Sequence, residues 1–296
     1  MDNSPHNDTQ LNSLLLANRL AGLLCKLVTA LGVVLNVVGL LFTVIPLIVV
    51  GAILFIAGGA IGALLKKRAQ SRLTDALLPE VLYKTLEDVR LEPKSAIPRQ
   101  ELFRAHMPLD FSDAGGSPLV YAAHQGKPIT LGGVLLTRQE TDYNTETQMH
   151  ETSDKQVFHG RWMICGLGRP LAGELQLEPR SGLERLLNGK SLKTGREDFD
   201  KRFTLQTGDM ASAMSMLTPA VADAILQYAD TVTDGKLYLS FLPDGTLHAA
   251  VDTGHGWIEP GRGSAAQQRE RLTQEIHSFT ALVDRLAAQD SLYRKD

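Results

Sequence analysis

From Leu27 to Leu65 the chain runs for 39 residues without an Asp, Glu, Lys or Arg. The hydrocarbon core of a bilayer is about 30 Å thick and takes ~20 apolar residues of helix. At ~1.5 Å per residue, one helix of this length would be nearly twice too long. A single straight span is therefore excluded. Pro46 divides the run into Leu27–Ile45 and Leu47–Leu65, nineteen residues each. Proline interrupts the intrahelical hydrogen-bond ladder, and it is also at home in a first helical turn, where its missing N–H costs nothing. The pattern predicts a transmembrane helical hairpin with a tight turn near Thr43–Pro46. One span followed by a re-entrant segment is the other arrangement such a run allows.

The flanks set an orientation. Arg19 and Lys26 precede the run, Lys66, Lys67, Arg68 and Arg72 follow it, and the turn carries no charge. Basic residues on both sides of an even number of spans place both termini in the cytoplasm. The start, MDNSPHNDTQ, lacks the basic region of a signal peptide. Gly58 and Gly62 form a GxxxG, which serves close helix packing within the hairpin or a homo-oligomer between copies. Asn36 is the one strongly polar side chain in the run, able to bond across the hairpin or to another copy. Transport sites usually place ionisable groups at mid-membrane, and this run has none.

Beyond residue 72 the chain is net acidic, which argues against nucleic acid, whose binding rests on clustered Lys and Arg. Cys25 and Cys165 follow no CxxC spacing, so a disulfide framework is not expected. Cys165 falls in an expected strand, where a small buried side chain is the ordinary reading.

The remainder reads as mixed structure. Leu11–Leu24 is leucine-rich and helical, and Ser71–Val89 forms a connecting helix that Pro79 interrupts. Leu119–Ala123, Ile129–Gln139, Gln156–Gly166, Glu174–Leu177 and Phe199–Thr207 read as strands, with the polar stretch Asp142–Asp154 as a hairpin tip. Thr218 and Pro219 are residue types that start helices, Thr218 as N-cap, ahead of Val221, Ala224, Ile225 and Tyr228. Lys236–Leu242, the turn Pro243–Gly245 and Thr246–Asp252 form a hairpin. Leu272, Ile276, Phe279, Val283 and Leu286 stripe a closing helix. Strands mostly neighbour strands, so the class is α+β with mainly antiparallel strands, not alternating α/β. The expected divisions are an N-terminal, partly helical segment 1–26, the hairpin 27–65, a basic flank and connecting helix 66–97, and a soluble α+β domain 98–296.

The succession of a double hydrophobic run, Phe158-His159-Gly160-Arg161 leading an apolar strand, Phe199–Phe203, Leu217-Thr218-Pro219 and the hairpin LYLSFLPDGTLHAAV resembles the bacterial membrane proteins catalogued as domain of unknown function 3137. The resemblance extends over roughly residues 20–290 and is clearest from Phe199 to Val251. It implies a bacterial inner (cytoplasmic) membrane protein, multi-pass, with a cytoplasmic-facing body. It supplies no activity and no site residues. It points to a LemA-like membrane protein as partner.

Chemistry is sparse. Eight histidines are scattered without HExxH or CxxC companions. Gly166-Leu167-Gly168 lacks the third glycine and the following helix of a dinucleotide site. Glu197, Asp198 and Asp200 are clustered carboxylates able to bind a cation, and a solvated strand entry is the more ordinary reading of them. The most site-like group is Asp252, His255 and Trp257 in DTGHGW, where glycines would let a ligand approach the backbone. A glycine-rich turn at a sheet edge accounts for the same residues. No metal or cofactor is expected. The reading that results is a membrane-anchored binding or scaffolding module whose first partner is the lipid bilayer. The alternative is a membrane-tethered hydrolase-like enzyme with its site near Asp252, His255 and Trp257.

Overall fold

The computed structural model describes residues 4–144, 149–180, 193–258 and 263–294. The chain divides into two compact units, one of residues 1–81 and 258–272, the other of 82–257 and 273–296.

The first unit is built on two long helices, α1 (Ser4–Leu41) and α2 (Ile45–Thr85). They are joined by a turn at Phe42–Val44, slightly before the expected place. Thr43 takes the left-handed conformation (φ 53°), and the Val44 N–H bonds the Gly39 carbonyl at 2.8 Å. That six-to-one bond is the Schellman way of ending a helix, and Pro46 then sits in the first turn of α2. Glycines let the helices approach. A Cβ on Gly58 would lie 2.6 Å from Thr29 Oγ1, and one on Gly51 would strike Asn36. Gly58 and Gly62 thus face α1 of their own hairpin. Asn36 Nδ2 donates to Gly32 O on its own helix at 2.9 Å.

The two helices are long and apolar enough to cross a membrane, and their apolar stretches are only 11% buried. Among the described residues, every exposed large hydrophobic side chain except Tyr83, Phe103 and Tyr121 lies between Leu14 and Leu64. Toward their ends away from the turn the helices are packed. Leu11 and Leu15 of α1 and Leu73, Leu77 and Leu78 of α2 are buried. The Asn12 side chain accepts from Ala265 N at 3.0 Å, and Arg269 Nε donates to Glu80 at 3.0 Å. Pro79, expected to interrupt a separate helix, lies inside α2, where the burial of Leu77, Leu78 and Val81 offsets its lost hydrogen bond. The membrane and connecting segments are one helix.

The second unit is an antiparallel sheet covered on both faces. Its strands are β1 (Glu87–Glu92), β2 (Asp113–Gly115), β3 (Leu119–His124), β4 (Lys127–Asn144), β5 (Met149–Gly166), β6 (Leu175–Pro179), β7 (Phe203–Gln206), β8 (Lys236–Phe241) and β9 (Thr246–Asp252). Their order is β1-β3-β4-β5-β9-β8-β6-β7, with β2 also paired to β4. The described helices are α3 (Arg99–Arg104), α4 (Glu197–Arg202), α5 (Met210–Met216), α6 (Pro219–Thr231) and the long α7 (Ala265–Ala287), whose first turns belong to the first unit, with a 3-10 turn at Asp290–Leu292. The α+β class follows directly.

Strand alternation sorts the core into two layers. One face carries Phe158, Trp162, Val134, Leu136 and Ala250, covered by Ile97, Leu102, Ala105, Met107 and Phe111 from α3 and its flanks. The other carries Met163, Cys165, Leu131, Ala249, Leu239 and Leu177, all buried. Burial on both faces explains why residues 157–167 read as an almost unbroken apolar run.

Several expected elements differ. Phe199 belongs to α4, and only Phe203 onward is strand. The acidic cluster Glu197, Asp198 and Asp200 forms the first turn of that helix, where negative charge meets the positive end of the helix dipole. The expected hairpin tip at Asp142–Asp154 is mostly ladder. Pairing continues to Asn144↔Met149, carried by the β-branched Thr137, Thr141 and Thr152, and residues 145–148 lie outside those described. Thr218 is the N-cap of α6 by backbone, but its hydroxyl makes no capping bond and meets Ser291 Oγ at 3.4 Å. The side-chain cap is on α5 instead, where Asp209 accepts from Ala211 N and Ser212 N.

Candidate functional site

The DTGHGW turn follows β9 and comes apart into two functions. Asp252 braces the loop, its Oδ1 accepting from His159 N at 3.2 Å and Gly254 N at 3.4 Å. Gly254 takes a positive φ (73°), and Thr253 Oγ1 donates to His255 O at 2.5 Å. These bonds turn His255 and Trp257 inward. Trp257 is 3% exposed, with its indole N–H buried and unbonded, and it lies beside Gly133 of β4.

Gly133 pairs with Arg161 of β5, so the turn meets a charge in the sheet. The Arg161 side chain is 3% exposed. Its Nη2 donates to Asp234 Oδ1 and Oδ2 at 3.2 and 3.3 Å, from the turn between α6 and β8. Its Nε lies 2.6 Å from Glu275 Oε1 on α7, a charge pair without hydrogen-bond alignment. His255 Nε2 stands 4.0 Å from Asp234 Oδ2, while its Nδ1 donates to Gly256 O at 2.8 Å. Tyr228 of α6 completes the group. Burial, reinforced by the Glu275 charge, pushes its phenol up, so it stays protonated. Four side chains from α6, α7 and two turns are thereby gathered around the one guanidinium on β5.

An arginine with two carboxylates is compensated in charge and held by geometry. It is not presented to an incoming anion. The group acts as a brace between sheet and helices, and Asp252 is committed to its loop rather than to an acid–base partner. The 170 Å³ cavity between α6 and α7, lined by Gln227, Tyr228, Ser278 and Arg285 among others, includes neither Asp252, His255 nor Trp257. No group of three or more His, Cys, Asp or Glu able to hold a metal occurs among the described residues.

Other polar groups have local explanations. His248 lies fully buried on the opposite face, accepting from Trp162 Nε1 at 3.2 Å through Nδ1. Burial, with the Arg104 charge adding, pushes its pKa down to about 4, so it is neutral. Burial pushes the Cys165 thiol up to about 12, which leaves it unreactive near neutral pH. His124 pairs with Asp284 and His106 with Glu174. Gly166–Gly168 forms a turn in which Leu167 N bonds Gly245 O, with no helix following.

Sequence reasoning selected His255 and Trp257 but passed over Arg161, Asp234, Glu275 and Tyr228. A signal for Arg161 was present: one cation inside the apolar stretch VFHGRWMICGL, where a buried strand tolerates charge only if it is paired.

Arg161, Tyr228, Asp234, His255 and Glu275 all fall within residues 156–287, which match the model of a family described as protein of unknown function (DUF3137). This segment is similar to DUF3137 proteins. No curated protein and no solved structure matches the chain. The matched DUF3137 segment begins within β5 and ends with α7, so the helical hairpin lies outside it. The resemblance read from the sequence is sustained over this narrower range.

Proposed function

We propose that this protein is a membrane-anchored module in which a helical hairpin holds the DUF3137-like domain at the cytoplasmic face of a bacterial inner membrane, where it binds or scaffolds a protein partner. The observation that carries the reading is the band of exposed apolar side chains from Leu14 to Leu64. Such a surface in water would be a large aggregation liability, whereas lipid covers it at no cost. Basic residues on both sides of the charge-free run support cytoplasmic termini. A LemA-like membrane protein is the first partner to seek, on the family resemblance. The hydrolase reading has less support, because Asp252 is engaged by backbone N–H groups and His255 faces a brace.

Alkaline phosphatase and green fluorescent protein fusions at each terminus test the topology. Fluorescence with no phosphatase activity at both ends is expected; phosphatase activity at either end overturns the orientation. Recovery of a stoichiometric membrane-protein partner after cross-linking in native membranes supports the scaffold. Hydrolysis of generic ester or phosphoester substrates that is lost in His255→Ala would overturn it.

A further inference from the structure

The hairpin contains a groove that its own helices do not fill. It measures about 650 Å³ and lies between residues 18–33 of α1 and 58–66 of α2. That is within the ~300–1,000 Å³ usual for small-molecule sites. Its floor includes Gly22, Gly59, Gly62 and Ala63, and its rim carries Arg19, Lys26 and Lys66. The glycines have two separate roles. Gly58 is pressed against Thr29 and closes the hairpin, whereas a Cβ at Gly22 or Gly59 would meet nothing within 4 Å. Gly22 and Gly59 therefore leave open space rather than helix contact.

The rim sets the character of the occupant. From Thr9 to Thr74 there is no Asp or Glu, while Arg19, Lys26, Lys66, Lys67, Arg68 and Arg72 are all basic. Among the described residues, Lys26 and Lys66 make no ion pair or hydrogen bond; Arg19 spends one N–H on Gly263 O at 2.7 Å. Counted from Thr43 at the turn, Arg19 lies 24 residues back and Lys66 23 residues on, so the antiparallel hairpin brings them to one level. Lys26 lies seven residues nearer the turn than Arg19, and past it the groove runs into the charge-free segment, where the Thr29 hydroxyl is satisfied by Cys25 O at 2.8 Å. Cationic above and apolar below is the complement of an anionic lipid. A second copy is disfavoured, because copies inserted with the same orientation would bring like-charged collars together at one depth.

We propose that this groove binds an anionic glycerophospholipid, its phosphate between Arg19, Lys26 and Lys66 and one acyl chain along Gly22 and Gly59. The proposal rests on the membrane-anchor reading above. It is tested by native mass spectrometry of the full-length protein in detergent, titrated with phosphatidylglycerol and with phosphatidylcholine of the same chains. Phosphatidylglycerol is expected to be retained preferentially, with Lys26→Gln and Lys66→Gln each weakening it about fivefold. Gly59→Leu and Gly22→Leu, whose Cβ atoms enter open space, should abolish the adduct, and excess glycerol phosphate should not displace it. Equal retention of both lipids, an adduct that survives both leucine variants, displacement by glycerol phosphate, or a lipid-free dimer dissociated by Gly59→Leu would each overturn the proposal. Alkaline carbonate extraction separates the two readings. A wild-type protein released from membranes defeats the anchor, whereas one that stays integral but retains no anionic lipid defeats only the groove assignment.

Discussion

Arg161 on β5 and Glu275 on α7 lie 114 positions apart in the chain, and their charges meet at 2.6 Å with side chains 3% and 13% exposed. The Asp234 carboxylate takes the same guanidinium through Nη2. Removing one member of a buried pair leaves an uncompensated charge, which costs about 3–5 kcal/mol. Arg161→Leu should therefore destabilise the protein by about that amount. The triple variant Arg161→Met, Asp234→Asn, Glu275→Gln should recover most of the loss. Denaturant unfolding followed by the fluorescence of Trp162 and Trp257 measures both. A triple variant no more stable than Arg161→Leu would mean that the brace acts through shape rather than charge.

His248 makes stability depend on pH. Burial holds its pKa down to about 4, so the folded protein leaves it neutral while the unfolded chain takes up a proton near 6.5. Its contribution is complete above pH 6.5 and is lost as pH falls toward 4, at up to about 1.4 kcal/mol per pH unit. Protonation would also remove the lone pair that accepts the Trp162 N–H. His248→Asn keeps an acceptor but does not titrate, so it should flatten the acid limb of a stability–pH curve. An unchanged limb would assign acid sensitivity to other groups.

Two glycines should respond oppositely to alanine. A Cβ on Gly160 would overlap the Val251 carbonyl oxygen of the neighbouring strand, which is backbone and has no room to yield. Gly160→Ala should destabilise strongly. Gly208 has open space and no left-handed φ, so Gly208→Ala should be neutral or stabilise by about 0.4–1 kcal/mol through the unfolded chain. Melting temperatures of the two variants decide this.

Asp209→Ala should lower the melting temperature more than Thr218→Ala. Asp209 accepts two backbone N–H groups of α5 and the Ser212 hydroxyl, while Thr218 makes one side-chain contact at 3.4 Å. Asp209→Ser, which can still cap, should fall between wild type and Asp209→Ala. The reverse order would restore Thr218 as the important cap.

The sequence by itself determined the features that depend on local composition. A charge-free run too long for one span, divided by Pro46, requires two apolar helices, because chain length and lack of charge need no distant partner to be read. The paired strands β8 and β9 were legible for the same reason, since alternation and the Pro243–Gly245 turn are short-range. Tertiary structure decided the rest. Whether Phe199 is helix or strand depends on the surface its ring finds, and both periodicities are compatible with FDKRF. Thr218 and Asp209 are equally good caps by residue type, but only packing directs one hydroxyl toward Ser291 and leaves the other carboxylate over its helix. The Arg161 brace was hidden because its partners come from α7 and a turn after α6. Which carboxylate reaches a buried guanidinium is settled by strand register and helix placement, and neither is encoded in the residues beside it.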